Sequence, residues 1–297
     1  MLQKSNPKND NIQVFIKDRL FARSEAKVSV FDSSVQGGDA VWEGLRVYPE
    51  GVVCLDKHLT RLQESAKTLM FADIPSKEFI KNAIKQTLDA NGMTDDTHIR
   101  LTLTRGEKIT SGMDPRLNQN GSCLIVLSEW KPLVYDNNQG IKVISTSQRR
   151  NSPQFLDSKI HHNNLLNNII AKIQANVAGK DAGLMLDDRG FVAELNGSNL
   201  FMVKNGKVFT PFGHACLPGI TRNSVIKMCL KNDIEISEED ITLSQFYNAD
   251  GVFATGTMGE LTPIVEIDGR SISKNNSLQI KIIELFKTEV RNLCEKI

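Results

Sequence analysis

A chain of 297 residues exceeds the usual size of one hydrophobic core, so two lobes sharing a cleft are expected. Its 40% hydrophobic and 24% charged residues are ordinary for a soluble globular enzyme or binding protein, and a net charge of +1 (Lys+Arg 36, Asp+Glu 35) excludes a global field favouring nucleic acid or an anionic membrane. Cys54, Cys123, Cys216, Cys229 and Cys294 are scattered, odd in number and never in a C-x-x-C pair, which argues against a disulfide framework or zinc ribbon and for a reducing cytoplasm. The polar start "MLQKSNPKND" lacks a signal-peptide core, and no apolar run approaches a membrane span.

In chain order, "NIQVFIKDRLF" and "VSVFD" have strand composition, and "GGDAVWEGLRVYPEGVVCLD" reads as a glycine-marked loop and two more strands. Leu59, Leu62, Ala66 and Leu69 give the span Lys57 to Met70 helical spacing. A second helix follows Pro75, with Ser76 as its cap and Glu78 in its first turn. "THIRLTLTRG" alternates strictly, with Ile99, Leu101 and Leu103 on one face and His98, Arg100, Thr102 and Thr104 on the other. After the strand "CLIVLSEW", the turn-rich "KPLVYDNNQG" reads as an interdomain connection.

The second half predicts a helix from about Asn163 to Val177 that buries Leu165, Leu166, Ile169, Ile170, Ile173 and Val177. "AGLMLDDRGFVAEL" is strand, turn and strand, and "NLFMVKNGKVFTP" is a hairpin turned at Asn205-Gly206. "LPGITRNSVIKMCLKN" turns at Pro218-Gly219 into a helix, and "GVFATGTMGELTPIVEIDG" places two turns between strands.

Several residues invite a chemical reading, each beside an ordinary one. Lys159, in "DSKIHHNNLLNNII", is by default one more solvated cation. The helix start at Gly219, Ile220 and Thr221 and the turn Thr255-Gly256-Thr257 offer amides and hydroxyls to an anion, although capped helices and Thr-Gly turns are common. Glu194 closes a strand, where a carboxylate is usually solvated. His58, His98, His161, His162 and His214 lack metal-ligand spacing, so no metal site is expected. Neither G-x-x-x-x-G-K-[ST], G-x-G-x-x-G nor G-x-S-x-G occurs.

Taken in order, "GDAVWEGLRVY", "HLTRLQESA", "SKIHHNNLL", "LMLDDRGFVAELNGSNLFMVKNGKVFTP", "LPGITR" and "TGTMGELTPIVEIDG" resemble the class IV (fold type IV) pyridoxal-phosphate-dependent aminotransferases. That family contains branched-chain aminotransferases, D-amino-acid aminotransferases and aminodeoxychorismate lyases, and the resemblance, from about Val28 to Gly269, is closest to the branched-chain branch. It implies an α/β (α+β) fold of two domains with the cofactor in the interdomain cleft: an N-terminal domain over 1–130, a linker over 131–140 and a cofactor-binding domain over 141–297. It also implies a homodimer whose partner subunit closes the pocket.

By the same resemblance Lys159 forms the Schiff base with the cofactor aldehyde, aided by desolvation and nearby cations. Glu194 pairs with the pyridine nitrogen, and Arg61 holds the cofactor phosphate with the Ile220 and Thr221 amides and Thr257. Asn164, Asn199, Gly219 and Gly256 complete the expected cofactor set, and Trp42, Arg46, Arg100, Met258 and Gly259 the substrate set. The chain departs from the family at Asn164, where many relatives carry a tyrosine bonded to the cofactor's phenolic oxygen, and after Gly269, where "SKNNSLQIKII" replaces a glycine-containing lead into the final helix.

The activity so implied is transfer of the amino group of branched-chain L-amino acids (leucine, isoleucine, valine) to 2-oxoglutarate. "WEGLRVY" and "HIR" favour it, and the Arg-x-His carboxylate trap of D-specific enzymes is absent from "TRGEKITSGMD", although "THIRLTLTRG" also resembles the D-specific branch. The alternatives are a D-amino-acid aminotransferase, an aminodeoxychorismate lyase and a non-catalytic pyridoxal-phosphate binder; the last has no need of Lys159, Glu194 and Arg61 together.

Overall fold

The computed structural model describes residues 4–297; residues 1–3, which begin the polar N-terminal stretch and the expected 1–130 domain, lie outside the described residues. The chain folds as two compact units. One takes the chain up to Pro132 together with Ile160–Asn164 and Leu293–Ile297, and the other takes Leu133–Lys159 and Leu165–Asn292. The chain thus passes between units several times, not only through 131–140, and part of that stretch is itself structured. The Val134 amide donates to the Met258 carbonyl at 2.9 Å, and Asn137 Nδ2 to the Gly259 carbonyl at 3.0 Å.

The first unit is an antiparallel sheet under helices. Its elements are β1 (Gln13–Ile16), β2 (Arg19–Ala22), α1 (Ser33–Gly37), β3 (Ala40–Tyr48), β4 (Gly51–Val53), α2 (Leu55–Thr68), α3 (Lys77–Asn91), β5 (Thr97–Thr104) and β6 (Cys123–Trp130). The sheet order is Cys294–Glu295, β4, β3, β5, β6, β1, β2. The period-two pattern works as expected: Ile99, Leu101 and Leu103 of β5 and Val41, Leu45 and Val47 of β3 join Leu55, Leu59, Leu62, Ile80 and Ile84 of the helices in one core. Ser76 caps α3 as expected, its side chain accepting from the Phe79 amide.

The strand composition of the first predicted stretch is borne out, that of the second is not. "NIQVFIKDRLF" is a hairpin of β1 and β2, turned at Lys17, whose φ is 63°. "VSVFD" is no strand: apart from a single bridge between Asp32 and Glu107 it has no ladder partner among the described residues, so Val30 and Phe31 stay exposed. Asp32 instead caps α1, accepting from the Ser34 amide.

The second unit carries the larger sheet. Its elements are β7 (Ile141–Ser145), α4 (Leu166–Val177), β8 (Ala182–Leu186), β9 (Val192–Leu195), β10 (Asn199–Lys204), β11 (Lys207–Pro211), α5 (Ile220–Lys231), β12 (Ile236–Glu239), α6 (Leu243–Tyr247), β13 (Gly251–Gly256), β14 (Glu260–Ile267), β15 (Arg270–Ser271) and α7 (Ser277–Asn292). The order is β12, β11, β10, β13, β14, β7, β8, β9, with β15 on β14. Asn205 and Gly206 turn the β10–β11 hairpin with φ of 50° and 75°, as their residue types predict.

The helix expected from Asn163 starts at Leu166, and its burial is the reverse of expectation. Only Ala171 and Ala175 are buried, while Leu166, Ile169, Ile170, Ile173 and Val177 are exposed. Small residues explain this. A Cβ on Gly183 of β8 would stand 2.7 Å from the Ala171 carbonyl oxygen, so the helix lies backbone-close on the sheet through its alanines and turns its large apolar stripe outward.

Candidate active site

In the second unit, strand register gathers the polar residues. Asn199 opens β10 opposite Thr255 of β13, and Gly256 packs so closely on the preceding turn that an added Cβ would meet Ser198 Oγ at 3.3 Å. Asn199 Nδ2 donates to Glu194 Oε2 at 3.0 Å and to the Leu217 carbonyl at 2.9 Å. Asn199 in turn demands a glycine at the start of α5, because a Cβ at Gly219 would lie 2.0 Å from Asn199 Oδ1. Gly219 therefore caps α5 without a side chain, leaving the helix start at Ile220 and Thr221 without a side-chain cap. Thr255 Oγ1, opposite Asn199, is buried with no hydrogen-bond partner among the described residues.

Glu194 is buried, and its charge is managed by one arginine. Burial raises its pKa, and the Arg150 guanidinium and the Leu217 amide pull it back. Arg150 Nε stands 2.6 Å from Glu194 Oε1. The same group includes the Cys216 thiol, pushed up to about 12 by burial first and Glu194 second, with Arg222, Arg150 and Lys159 acting in the opposite sense. Lys159 thus lies within electrostatic reach of the Glu194 group.

Lys159 itself differs from expectation. Its side chain is 48% exposed, where burial was expected, and its ion-pair partner is Asp157, at 3.6 Å. The local chain is nevertheless held on both sides. Ser158, just before, donates to the Asn151 carbonyl at 2.7 Å. Just after, in the first unit, the Trp42 amide donates to the His161 carbonyl at 2.9 Å, Trp42 Nε1 to the His162 carbonyl at 3.2 Å, and the Asn163 amide to the Ala40 carbonyl at 2.7 Å.

A buried charge cluster in the first unit anchors that segment. Glu43, on the core face of β3, is fully buried and accepts from Arg61 Nε and Nη2, each at 2.7 Å. His58 Nδ1 lies 2.7 Å from Glu43 Oε2 and His161 Nδ1 3.1 Å from Oε1, so each oxygen is shared with Arg61. An ionised carboxylate only accepts, so both imidazoles carry a proton on Nδ1. Burial alone would raise the Glu43 pKa, but His161 and Arg61 hold it well below the usual carboxylate range. Arg61, expected on the cofactor phosphate, is thus held side-on by Glu43.

This unit also sets an acid-side stability limit. Burial pushes His98 down to about 3 and His161 down to about 4, the first helped by Lys131, Arg100 and Arg46, the second opposed by Glu43. Between the unfolded value near 6.5 and these folded values the unfolded chain binds more protons, so stability falls as pH falls. Glu43 acts in the same direction below its unfolded value of 4.5. The urea midpoint should decline from pH 6.5 to 4, each histidine contributing up to ~1.4 kcal/mol per pH unit, and His98→Gln should flatten the slope. A level midpoint over that range would contradict the assignment.

Of the expected substrate residues, Trp42 and Arg100 are brought together. The guanidinium lies over the Trp42 ring at 3.5 Å and donates from Nη2 to Asn163 Oδ1 at 2.7 Å, while the Trp42 and His161 rings meet at a tilt of 39° with centroids 4.2 Å apart. Burial pushes Arg100 down to about 10, opposed by Glu43, which leaves it cationic at neutral pH. Arg46, also expected in the substrate set, has partners of its own. Two positions along β3 from Gly44, it is buried and spent on the Lys131 carbonyl at 2.9 Å and Asp96 at 3.1 Å, which makes it an anchor for the strand end. Met258 and Gly259 sit in the β13–β14 turn, tied to Val134 and Asn137. Asn164 is exposed and packs near Gly38. Sequence reading missed Arg150 and Glu43 and considered His161 only as a metal ligand; the charge of Arg150 and Glu43 was visible, their burial and pairing were not.

An uncapped helix start, a glycine without space for a Cβ, an orphaned buried hydroxyl and a buried carboxylate with acceptor capacity left fit a phosphate-bearing cofactor with a ring nitrogen. The family pattern described as amino-transferase class IV matches residues 40–267. The chain is 56% identical over 268 residues to "Branched-chain-amino-acid aminotransferase-like protein 2" of Arabidopsis thaliana, covering 90% of this chain but 48% of that protein, so it spans about half the length of that relative. It is 40% identical over 280 residues to a "Putative branched-chain-amino-acid aminotransferase" of Methanocaldococcus jannaschii, covering 93% of this chain and 96% of that one. The crystal structure of the T.th. branched-chain amino acid aminotransferase complexed with N-(5'-phosphopyridoxyl)-L-glutamate superposes with a TM-score of 0.87 at 31% identity over 95% of each chain. The chain belongs to the class IV aminotransferases, and its mixed α/β fold is that of fold type IV.

Proposed function

We propose that the protein is a pyridoxal-phosphate-dependent transaminase that moves the amino group of leucine, isoleucine or valine to 2-oxoglutarate. The observation that carries the reading is the buried Glu194, paired with Arg150 and Asn199, in the same unit as Lys159 and the open start of α5. When bound, the cofactor supplies an electron-accepting ring that eases loss of the substrate Cα proton. Glu194 would hold the proton of the ring nitrogen. Ile220, Thr221, Gly256 and Thr257 would hold the phosphate, as would Arg61, with Gly219 and Asn199 shaping the cradle at the start of α5. Lys159 Nζ would hold the cofactor and, as a free amine, would take the proton from substrate Cα and pass it to the cofactor carbon.

Arg100 and Trp42 form the proposed side-chain pocket, an arginine for the glutamate carboxylate lying against an apolar ring for leucine. Losing a charge-assisted contact costs about 1.5–3 kcal/mol, so Arg100→Ala should lower kcat/KM for glutamate and 2-oxoglutarate roughly ten- to hundredfold, and far less for leucine. Equal losses on both would make Arg100 structural. Exposure of Leu166, Ile169, Ile173 and Val177 on α4 supports a homodimer. The scattered free cysteines support a cytoplasmic location, and among the described residues no helix is long and apolar enough to cross a membrane. An amino-donor panel with both enantiomers, with product identification, tests the substrate reading: branched-chain L-amino acids should lead. Activity confined to D-alanine or D-glutamate, or pyruvate released from aminodeoxychorismate, would replace it.

A further inference from the structure

The partners of Glu194 lead past the residues that would hold the cofactor. Arg150 is itself almost fully buried and stands in the loop after β7, fixed from three directions. Its amide donates to the Leu186 carbonyl at 2.9 Å, and its Nη1 to Asn168 Oδ1 at 3.1 Å. Asn168 is fixed in turn by donating to the Asn196 carbonyl at 2.9 Å. The Arg150 Nε approach to Glu194 at 2.6 Å is close but poorly aligned as a hydrogen bond, so what it delivers to the carboxylate is mainly charge. Asn199 contributes a neutral donor to the other oxygen.

We propose that Arg150 is a positioning residue that keeps the Glu194 carboxylate ionised and aimed, so that Glu194 can hold a proton on the ring nitrogen; the inference rests on the cofactor reading above. A buried carboxylate without a cation takes up a proton instead of staying charged. A protonated Glu194 would offer the ring nitrogen a donor where an acceptor is needed. The other ionisable groups acting around it are Arg222, Lys159 and the Cys216 thiol, which is neutral at physiological pH. Arg222 is already committed to the Pro211 carbonyl and Glu238, and Lys159 to Asp157.

The test is an infrared titration of the full-length protein freed of cofactor, in wild type, Arg150→Met, Arg150→Lys and Arg150→Met/Glu194→Gln. At pH 7 a protonated-carboxyl band should be present in Arg150→Met and absent from the wild type, from Arg150→Lys and from the double variant. In the loaded enzyme, Arg150→Met should lose as much kcat as Glu194→Gln, and the double variant no more than either, because both act through one group. A carboxylate still ionised in Arg150→Met, or losses that multiply, would overturn the proposal. If Arg150→Met unfolds, the double variant must be more stable, since it leaves no unpaired charge; a double variant that is no more stable overturns it too. The infrared result needs no cofactor, so it fails or holds independently of labelling at Lys159, which tests the cofactor reading.

Discussion

Lys159→Ala should abolish turnover while leaving pyridoxal phosphate able to bind. No other lysine has the same place: Lys159 follows Ser158, pinned to Asn151, and precedes a segment laced to β3 through Trp42, Glu43 and Ala40. Alanine removes an amine that is 48% exposed, so no cavity opens and the fold should be unchanged. Loss of the group that moves the Cα proton costs typically 10²–10⁴-fold, and loss of covalent attachment adds to it. Equilibrium titration of the variant should still show the cofactor held through Arg61, Thr221 and Thr257. Substantial residual turnover would remove Lys159 from the chemistry.

Glu194→Gln should be the second most damaging change. A neutral amide keeps the Asn199 and Arg150 geometry in outline but cannot stabilise a proton on the ring nitrogen, so kcat should fall by about two orders of magnitude with little change in KM. Burial raises the Glu194 pKa, so its ionised fraction is lost on acidification at a higher pH than for a solvated carboxylate. In the protein freed of cofactor the Glu194 carboxyl should therefore protonate above the ordinary glutamate range, a transition that an infrared titration reads and that Glu194→Gln removes. An unchanged kcat would assign Glu194 to packing.

What could be read from the chain was whatever depends on local pattern. Alternation located β5 and its polar face with Arg100, Ser76 marked the start of α3, and Asn205-Gly206 fixed a hairpin, because each is decided within a few residues. The class IV motifs carried the family. What was not legible depends on the partner. The apolar period of α4 is genuine, but periodicity does not say which side meets the sheet, and Gly183 with Ala171 and Ala175 decided that. "VSVFD" has strand composition without a strand beside it. Glu43 and Arg150 are charges by sequence and buried ion pairs only in three dimensions, and Arg46 changes meaning once Lys131 and Asp96 are seen beside it.

The central claim is that this chain carries pyridoxal phosphate on Lys159. Purified protein loaded with the cofactor should be yellow, and borohydride reduction followed by peptide mapping should find the pyridoxyl group on the peptide containing Lys159 and nowhere else. A label on another lysine, or no covalent label in a protein that binds the cofactor, would contradict it.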